Sequence, residues 1–107
     1  MKSKSATSQV EVQKPILTER RLEYLSLIAL GLSNTEIGKI LCVEENTVKK
    51  TLEEICKKLK TEGRTHTRTY TAVSAVALGV LTIRKISEVA KKYDIKDEKL
   101  IINLVQE

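Results

Sequence analysis

Apolar residues recur at helical spacing through most of this chain, and two short breaks divide the first part of the pattern into three helices. The first helix is predicted to end at Gly31. Ser33 and Glu36 are three residues apart, the spacing of a capping box at the start of a second, short helix. A three-residue break over 42–44 then precedes a third helix over about 45–60. This succession of a short helix, a tight break and a longer helix constrains the fold more than any other feature.

The apolar positions also predict which face of each helix is buried. Thr18 is suited to cap the first helix, because its hydroxyl can accept a hydrogen bond from a free backbone amide. In the third helix the apolar residues form one narrow line, so one side of that helix is left free of core packing. The predicted buried positions are Leu22, Leu25, Ile28 and Ala29 in the first helix, Ile37, Ile40 and Leu41 in the second, and Val48, Leu52, Ile55 and Leu59 in the third.

The domain organisation follows from the same pattern, and the predicted fold class is all-α. Residues 1–14 are polar and predict a flexible tail. Residues 15–81 form the predicted four-helix domain. The remaining residues, 82–107, predict one or two extra helices, over about 83–93 and after Asp97, that serve packing or oligomerisation.

Between the third and fourth helices, residues 60–68 predict a basic loop around a glycine. Threonine alternates with other residue types over 65–71, but no second run offers a partner strand, so we expect a loop here followed by a capping threonine. The fourth helix is predicted over 72–81. It is apolar on nearly every side, and we therefore expect it to be covered on more than one face.

Composition excludes several classes of protein. The length of 107 residues is that of one domain, and 41% hydrophobic with 31% charged residues is typical of a soluble globular chain. No apolar run approaches the ~18 residues of a membrane span, so we expect a cytoplasmic protein with no membrane partner. Three tyrosines without Phe or Trp weigh against a stacking platform for single strands. Cys42 and Cys56 lack zinc or redox spacing, so we expect buried reduced thiols and no metal or other cofactor.

The free side of the third helix is polar and partly basic, and the net charge of the chain is +5. From Lys57 to Arg68 there are five Lys or Arg against one Glu, so much of the surplus charge lies at the end of this helix. This is the layout of a helix-turn-helix, in which the second helix enters the major groove of duplex DNA. The start of the preceding helix suits a phosphate, because its backbone amides point outwards there.

Several segments lie in the order and at the spacing of one known family: Leu17-Thr18-Glu19-Arg20, Gly31-Leu32-Ser33-Asn34-Thr35-Glu36-Ile37, Asn46-Thr47-Val48-Lys49, Ile55 and Lys58-Leu59. These segments resemble the LuxR/GerE-type helix-turn-helix family, and the resemblance covers about residues 16–81. The resemblance implies a stand-alone bacterial transcriptional regulator with a four-helix domain, whose third helix reads double-stranded DNA and whose fourth helix commonly forms a dimer.

The resemblance and the free helix side together give a candidate DNA site. Its partners are expected to be double-stranded DNA, a second copy bound through the fourth helix or residues 82–107, and RNA polymerase, and its location the bacterial nucleoid. Residues expected to face the bases are Asn46, Lys49, Lys50 and Glu53. Residues expected to face the backbone are Ser33, Asn34, Thr35, Thr47, Lys57, Lys58, Arg64 and Arg68.

The sequence departs from the family pattern in the scaffold of this site. Arg21, Gly38 and Glu44 stand where the family usually has Glu, Ala and a capping Ser. The loop over 60–67 is also longer than usual, and the family pattern does not explain residues 82–107.

Two other classes of function compete with this interpretation. The chain has no phosphate-gripping, zinc-protease or nucleophile-elbow motif, so we expect that it is not an enzyme. The alternative is a protein-binding module, an anti-activator or assembly factor that keeps the helix-turn-helix shape without binding DNA. Four acids around the third helix favour it: Glu44, Glu45, Glu53 and Glu54.

Overall fold

The structure, a computed structural model, describes residues 16–95 and contains only helices within that range. The all-α prediction is confirmed. The predicted tail over 1–14 and the predicted helix after Asp97 lie outside the described residues. None of the described helices is both long and apolar enough to cross a membrane. The helices are α1 (Glu19–Ala29), α2 (Asn34–Leu41), α3 (Glu45–Leu59), α4 (Thr67–Ala77) and α5 (Ile83–Lys92).

The starts of α1 and α2 are the predicted ones, because side chains beside them cap the free backbone amides. Thr18 Oγ1 accepts a hydrogen bond from the Arg21 amide at 3.2 Å. At α2, Ser33 Oγ accepts from the Glu36 amide at 3.2 Å, and Glu36 Oε1 accepts from the Ser33 amide at 2.8 Å. Gly31 lies just after α1 with a φ of 90°, a backbone conformation that glycine adopts without strain.

The prediction for α4 is wrong at both ends. The helix begins at Thr67, so the residues predicted as a loop up to 71 form its first turns, and it ends at Ala77, before Gly79 with a φ of 76°. Packing explains the earlier start, because Thr71 is buried and its Oγ1 lies 2.7 Å from that of the buried Thr61. The local alternation of threonines carries no information about this contact.

The hydrophobic core surrounds α1, which packs against α3, α4 and α5. Because three helices contact α1, its buried surface is wider than the predicted stripe and includes Glu23, Tyr24, Ser26 and Leu27. The helix α5 also contributes to this core. Its buried residues are Ile86, Ser87, Val89 and Ala90.

The expectation that both cysteines are buried is wrong. Cys42 is exposed and Cys56 is half-buried, and both are free thiols. The helix α4 is covered from two sides, by α1 and by α3, as expected, although Val73 remains 59% exposed and Val76 41% exposed. Small residues of α4 itself, such as the buried Ala72 and Ala75, make its contact with the core.

Candidate nucleic-acid interface

The helices α2 and α3 meet at a tight corner made by residues 42–44. Cys42 takes a left-handed backbone conformation with a φ of 60°, which ends α2, and the Val43 amide donates to Gly38 O at 2.9 Å. A β-carbon at position 38 would lie only 2.8 Å from Val43 O. Glycine at this departure from the family pattern therefore lets the turn fold back closely onto α2.

One side of α3 is fixed in the core and the other is exposed, as predicted. Val48, Ile55 and Leu59 are the buried residues of this helix. The spacing of three and four residues places the four candidate base-facing side chains on one face of the helix. All four are exposed: Asn46, Lys49, Lys50 and Glu53.

Two of the acids around α3 have polar partners within the protein. Thr35 Oγ1 donates to Glu45 Oε1 at 3.0 Å, and Arg21 Nη2 lies 2.6 Å from Glu54 Oε1. Arg21, a departure from the family pattern, thus forms a salt bridge from α1 to α3. Glu44 takes the N-cap position of α3 without a side-chain cap hydrogen bond. The salt bridge with Arg21 compensates part of the negative charge near the exposed face of α3.

The start of α2 is joined to the start of α4 by Arg68. Its guanidinium donates to Asn34 Oδ1 and, at 2.5 Å, to Leu32 O. The structure thus brings together two candidate backbone-facing residues that are distant in sequence. Beside them, Ser33 is engaged in the capping box and Thr35 in the bond to Glu45.

The remaining candidate backbone-facing residues lie along α3 and the loop after it. Thr47, in the first turn of α3, and Lys57 and Lys58, in its last turn, are exposed. Arg64 is also exposed, and its guanidinium lies 4.8 Å from the ring centre of Tyr70. The amines of the candidate lysines on α3 take part in none of the salt bridges within residues 16–95 and so can bind an anion: Lys49, Lys50, Lys57 and Lys58.

A buried polar cluster between α1 and α5 was missed by the sequence analysis. Glu23 is 3% exposed and accepts hydrogen bonds from Arg20, Lys92 and Tyr93. Burial alone would raise the pKa of Glu23, but these three hydrogen bonds outweigh it and hold the pKa below its ordinary value. The hydrogen bond to Glu23 also raises the pKa of Lys92. No local pattern reveals the cluster, because the donors Lys92 and Tyr93 lie about 70 residues from Glu23 in the sequence.

Comparison with known proteins identifies the family of the region that contains the corner between α2 and α3. Residues 15–71 match the family described as bacterial regulatory proteins, luxR family. The transcriptional regulatory protein LnrK of Bacillus subtilis is 36% identical over 72 residues, which cover 64% of this chain and 33% of LnrK. DegU of Brevibacillus brevis is 42% identical over 59 residues, covering 53% of this chain and 25% of DegU. The nitrate/nitrite response regulator protein NarP of Escherichia coli is 41% identical over 49 residues, covering 46% of this chain and 23% of NarP.

The chain therefore spans about a quarter to a third of the length of these relatives. No solved structure gave a significant match. The family match ends within α4, so α5 lies outside it.

Proposed function

Because the chain belongs to the luxR family of bacterial regulatory proteins, we propose that it binds specific sequences of double-stranded DNA through α3 and regulates transcription in the bacterial nucleoid. The carrying observation is the exposed face of α3, where Lys49 and Lys50 form no salt bridge within the described residues. An exposed helix of this kind fits a major groove about 12 Å wide. The family is one of regulatory proteins, and the chain is not an enzyme.

In this proposal the exposed face of α3 reads base edges. Lys49 and Lys50 donate to the acceptors of guanine, and the Asn46 amide pairs with adenine. Glu53, as an acceptor, suits the amino group of cytosine. These four side chains then determine the operator sequence, while other contacts determine position along the duplex.

The backbone contacts are proposed to come from two places. At one, the start of α2 meets a phosphate through the Ser33 hydroxyl and the backbone amides of Asn34 and Thr35. Thr47, in the first turn of α3, adds a further backbone contact. Arg68 supports this group, because its guanidinium has five N–H donors and can retain Asn34 while another donor faces a phosphate. At the other, the end of α3 and the loop after it supply cations: Lys57, Lys58 and Arg64.

A homodimer is the proposed form of the DNA-bound protein. A groove of about 710 Å³ lies between α1 and α4. It is lined mainly by apolar residues such as Ala72, Val73 and Val76, and Arg68 and Thr69 are its polar lining residues. Contact between two copies would bury Val73 and Val76, which the single chain leaves exposed. Two recognition helices would then meet successive major grooves about 34 Å apart, and the operator would be roughly palindromic. RNA polymerase is a further proposed partner at the promoter.

The proposal is tested by selecting bound duplexes from a random pool and measuring their affinity by fluorescence anisotropy over a series of salt concentrations. For the native chain, affinity should fall linearly on a log-log plot against salt, because each neutralised phosphate releases a counterion. Lys49→Ala and Lys50→Ala should each cost about 1–3 kcal/mol on the selected duplex and less on random DNA. Arg64→Ala should weaken both duplexes alike and reduce the salt slope by about 1.

Lys91→Ala is the matched control, because it removes an exposed lysine of α5 rather than of α3. It should leave base preference unchanged. An equal loss on selected and random DNA for the α3 variants would contradict their role in reading bases. Absence of any salt-dependent binding by the native chain would instead support the protein-binding module.

A further inference from the structure

The end of α2 is held by a side chain from α1. Leu41 is the last residue of α2. Its carbonyl is therefore one of the last backbone carbonyls of the helix, which have no hydrogen-bond partner within the helix. Arg20 Nη2 donates to this carbonyl at 3.1 Å. Arg20 Nη1 lies 3.2 Å from Glu23 Oε1 and 3.5 Å from the hydroxyl of Tyr93. One guanidinium therefore contacts α1, the end of α2 and the residue after α5.

The carboxylate that orients this arginine is itself held from α5. Lys92 Nζ donates to Glu23 Oε2 at 2.5 Å, and the Tyr93 hydroxyl donates to Glu23 Oε1 at 2.9 Å. The Lys92 amine also lies 5.2 Å from the centre of the Tyr93 ring, which holds the two donors next to each other. Two of the three side chains that donate to the buried Glu23 thus come from the end of α5, outside the family match.

We infer that the end of α5 positions the turn of the helix-turn-helix through the Glu23–Arg20 pair, which makes Lys92 and Tyr93 positioning residues for DNA recognition. The physical reason is that a buried carboxylate with fewer donors is less fixed, and a less fixed carboxylate holds Arg20 less firmly on the Leu41 carbonyl. Loss of that contact loosens the last turn of α2 and with it the start of α3. The consequence for DNA rests on the proposed function, whereas the coupling inside the protein does not.

Native-state hydrogen exchange, followed by NMR, tests the coupling without DNA. The Val43 amide reports on the turn, because it donates to Gly38 O across the end of α2. The Ile55 amide lies in the buried part of α3 and reports on unfolding of the whole domain. Tyr93→Phe should accelerate exchange at Val43 about fivefold more than at Ile55, the change expected for one lost hydrogen bond. Lys92→Met should act in the same direction.

Two further variants serve as controls. Arg20→Met removes the donor to the Leu41 carbonyl and should accelerate exchange at Val43 at least as much as Tyr93→Phe does. Lys85→Met breaks the ion pair with Glu19, which joins α5 to α1 without contacting the turn. It should leave the ratio of the exchange rates at Val43 and Ile55 unchanged. Equal acceleration of Val43 and Ile55 in Tyr93→Phe would show that α5 only stabilises the fold, and would overturn the inference.

Duplex binding then tests the functional part. In Tyr93→Phe and Lys92→Met, affinity for the selected duplex should fall severalfold at a temperature where both variants are folded. Faster exchange at Val43 with unchanged affinity would overturn the positioning role. Faster exchange at Val43 in a protein whose native form binds no duplex at all would support the coupling and would reject the proposed DNA binding.

Discussion

At the scale of single residues, the molecule separates charges that are held by the fold from charges that remain available. Glu23 is buried and receives hydrogen bonds, and Arg68 is half-buried and engaged with Asn34. Lys49 and Lys50, by contrast, are exposed and form no salt bridge within the range 16–95. Removing a held charge should therefore cost stability, whereas removing an available one should cost binding.

Glu23→Gln tests this difference through its dependence on pH. The folded protein holds the pKa of Glu23 below its ordinary value of 4.5, so ionised Glu23 stabilises the fold above about pH 4.5 and this contribution is lost as pH falls through the folded pKa. We expect Glu23→Gln to lower the free energy of unfolding by about 2 kcal/mol at neutral pH. The difference from the native protein should shrink towards zero on acidification. Urea unfolding at a series of pH values measures it.

Glu19→Gln is the control for that series, because Glu19 also forms an ion pair with α5 but is exposed. This substitution should change the free energy of unfolding by less than about 1 kcal/mol at every pH. If the free energy of unfolding of Glu23→Gln stays below that of the native protein by the same amount down to the lowest pH, the buried charge is not what stabilises the fold.

At the scale of elements, the predictions succeeded where the determinant is local. The starts of α1 and α2 follow from caps within three residues of the residues they serve, so sequence alone locates them. The exposed face of α3 follows from helical periodicity in the same way. The start of α4 depends instead on the contact between Thr61 and Thr71, which the pattern of threonines does not encode. The Glu23 cluster depends on α5, about 70 residues away, and no feature near Glu23 indicates it.

The two N-caps of the helix-turn-helix allow opposite predictions. Ser33→Ala removes the hydroxyl that accepts from the Glu36 amide and should destabilise the domain by about 1 kcal/mol. Glu44 makes no side-chain cap hydrogen bond at α3, so Glu44→Ser should stabilise the domain by about 0.5–1 kcal/mol. Thermal and urea unfolding of both variants measure the two changes. Destabilisation by Glu44→Ser would mean that Glu44 has a stabilising contact other than a cap.

At the scale of the whole molecule, α1 is the common support of two surfaces. It packs against α3, which carries the proposed DNA-binding face, and against α4, with which it forms the apolar groove. No residue of α3 lines that groove. A second copy bound along α4 would therefore leave the exposed face of α3 accessible. One chain could then bind its second copy and DNA at the same time.

Two exposed apolar residues distinguish the two surfaces considered for dimerisation. Val73 lies on α4 and is 59% exposed, and Ile83 lies at the start of α5 and is 42% exposed. If α4 forms the dimer, Val73→Glu should convert it to monomers in sedimentation velocity, because a carboxylate would be buried without a partner, while Ile83→Glu should leave it intact. The reverse result would assign the interface to α5.

The same pair of variants separates pairing from DNA contact. Neither residue lies on α3, so both variants should bind a single half-site as the native chain does. If the native chain is a dimer, it should gain affinity on a palindromic operator, because binding of one copy raises the effective concentration of the other. Val73→Glu should lose this gain, and its affinities for the half-site and the full site should become similar. A Val73→Glu protein that is monomeric yet retains the full gain would show that the dimer in solution is not the form that binds DNA.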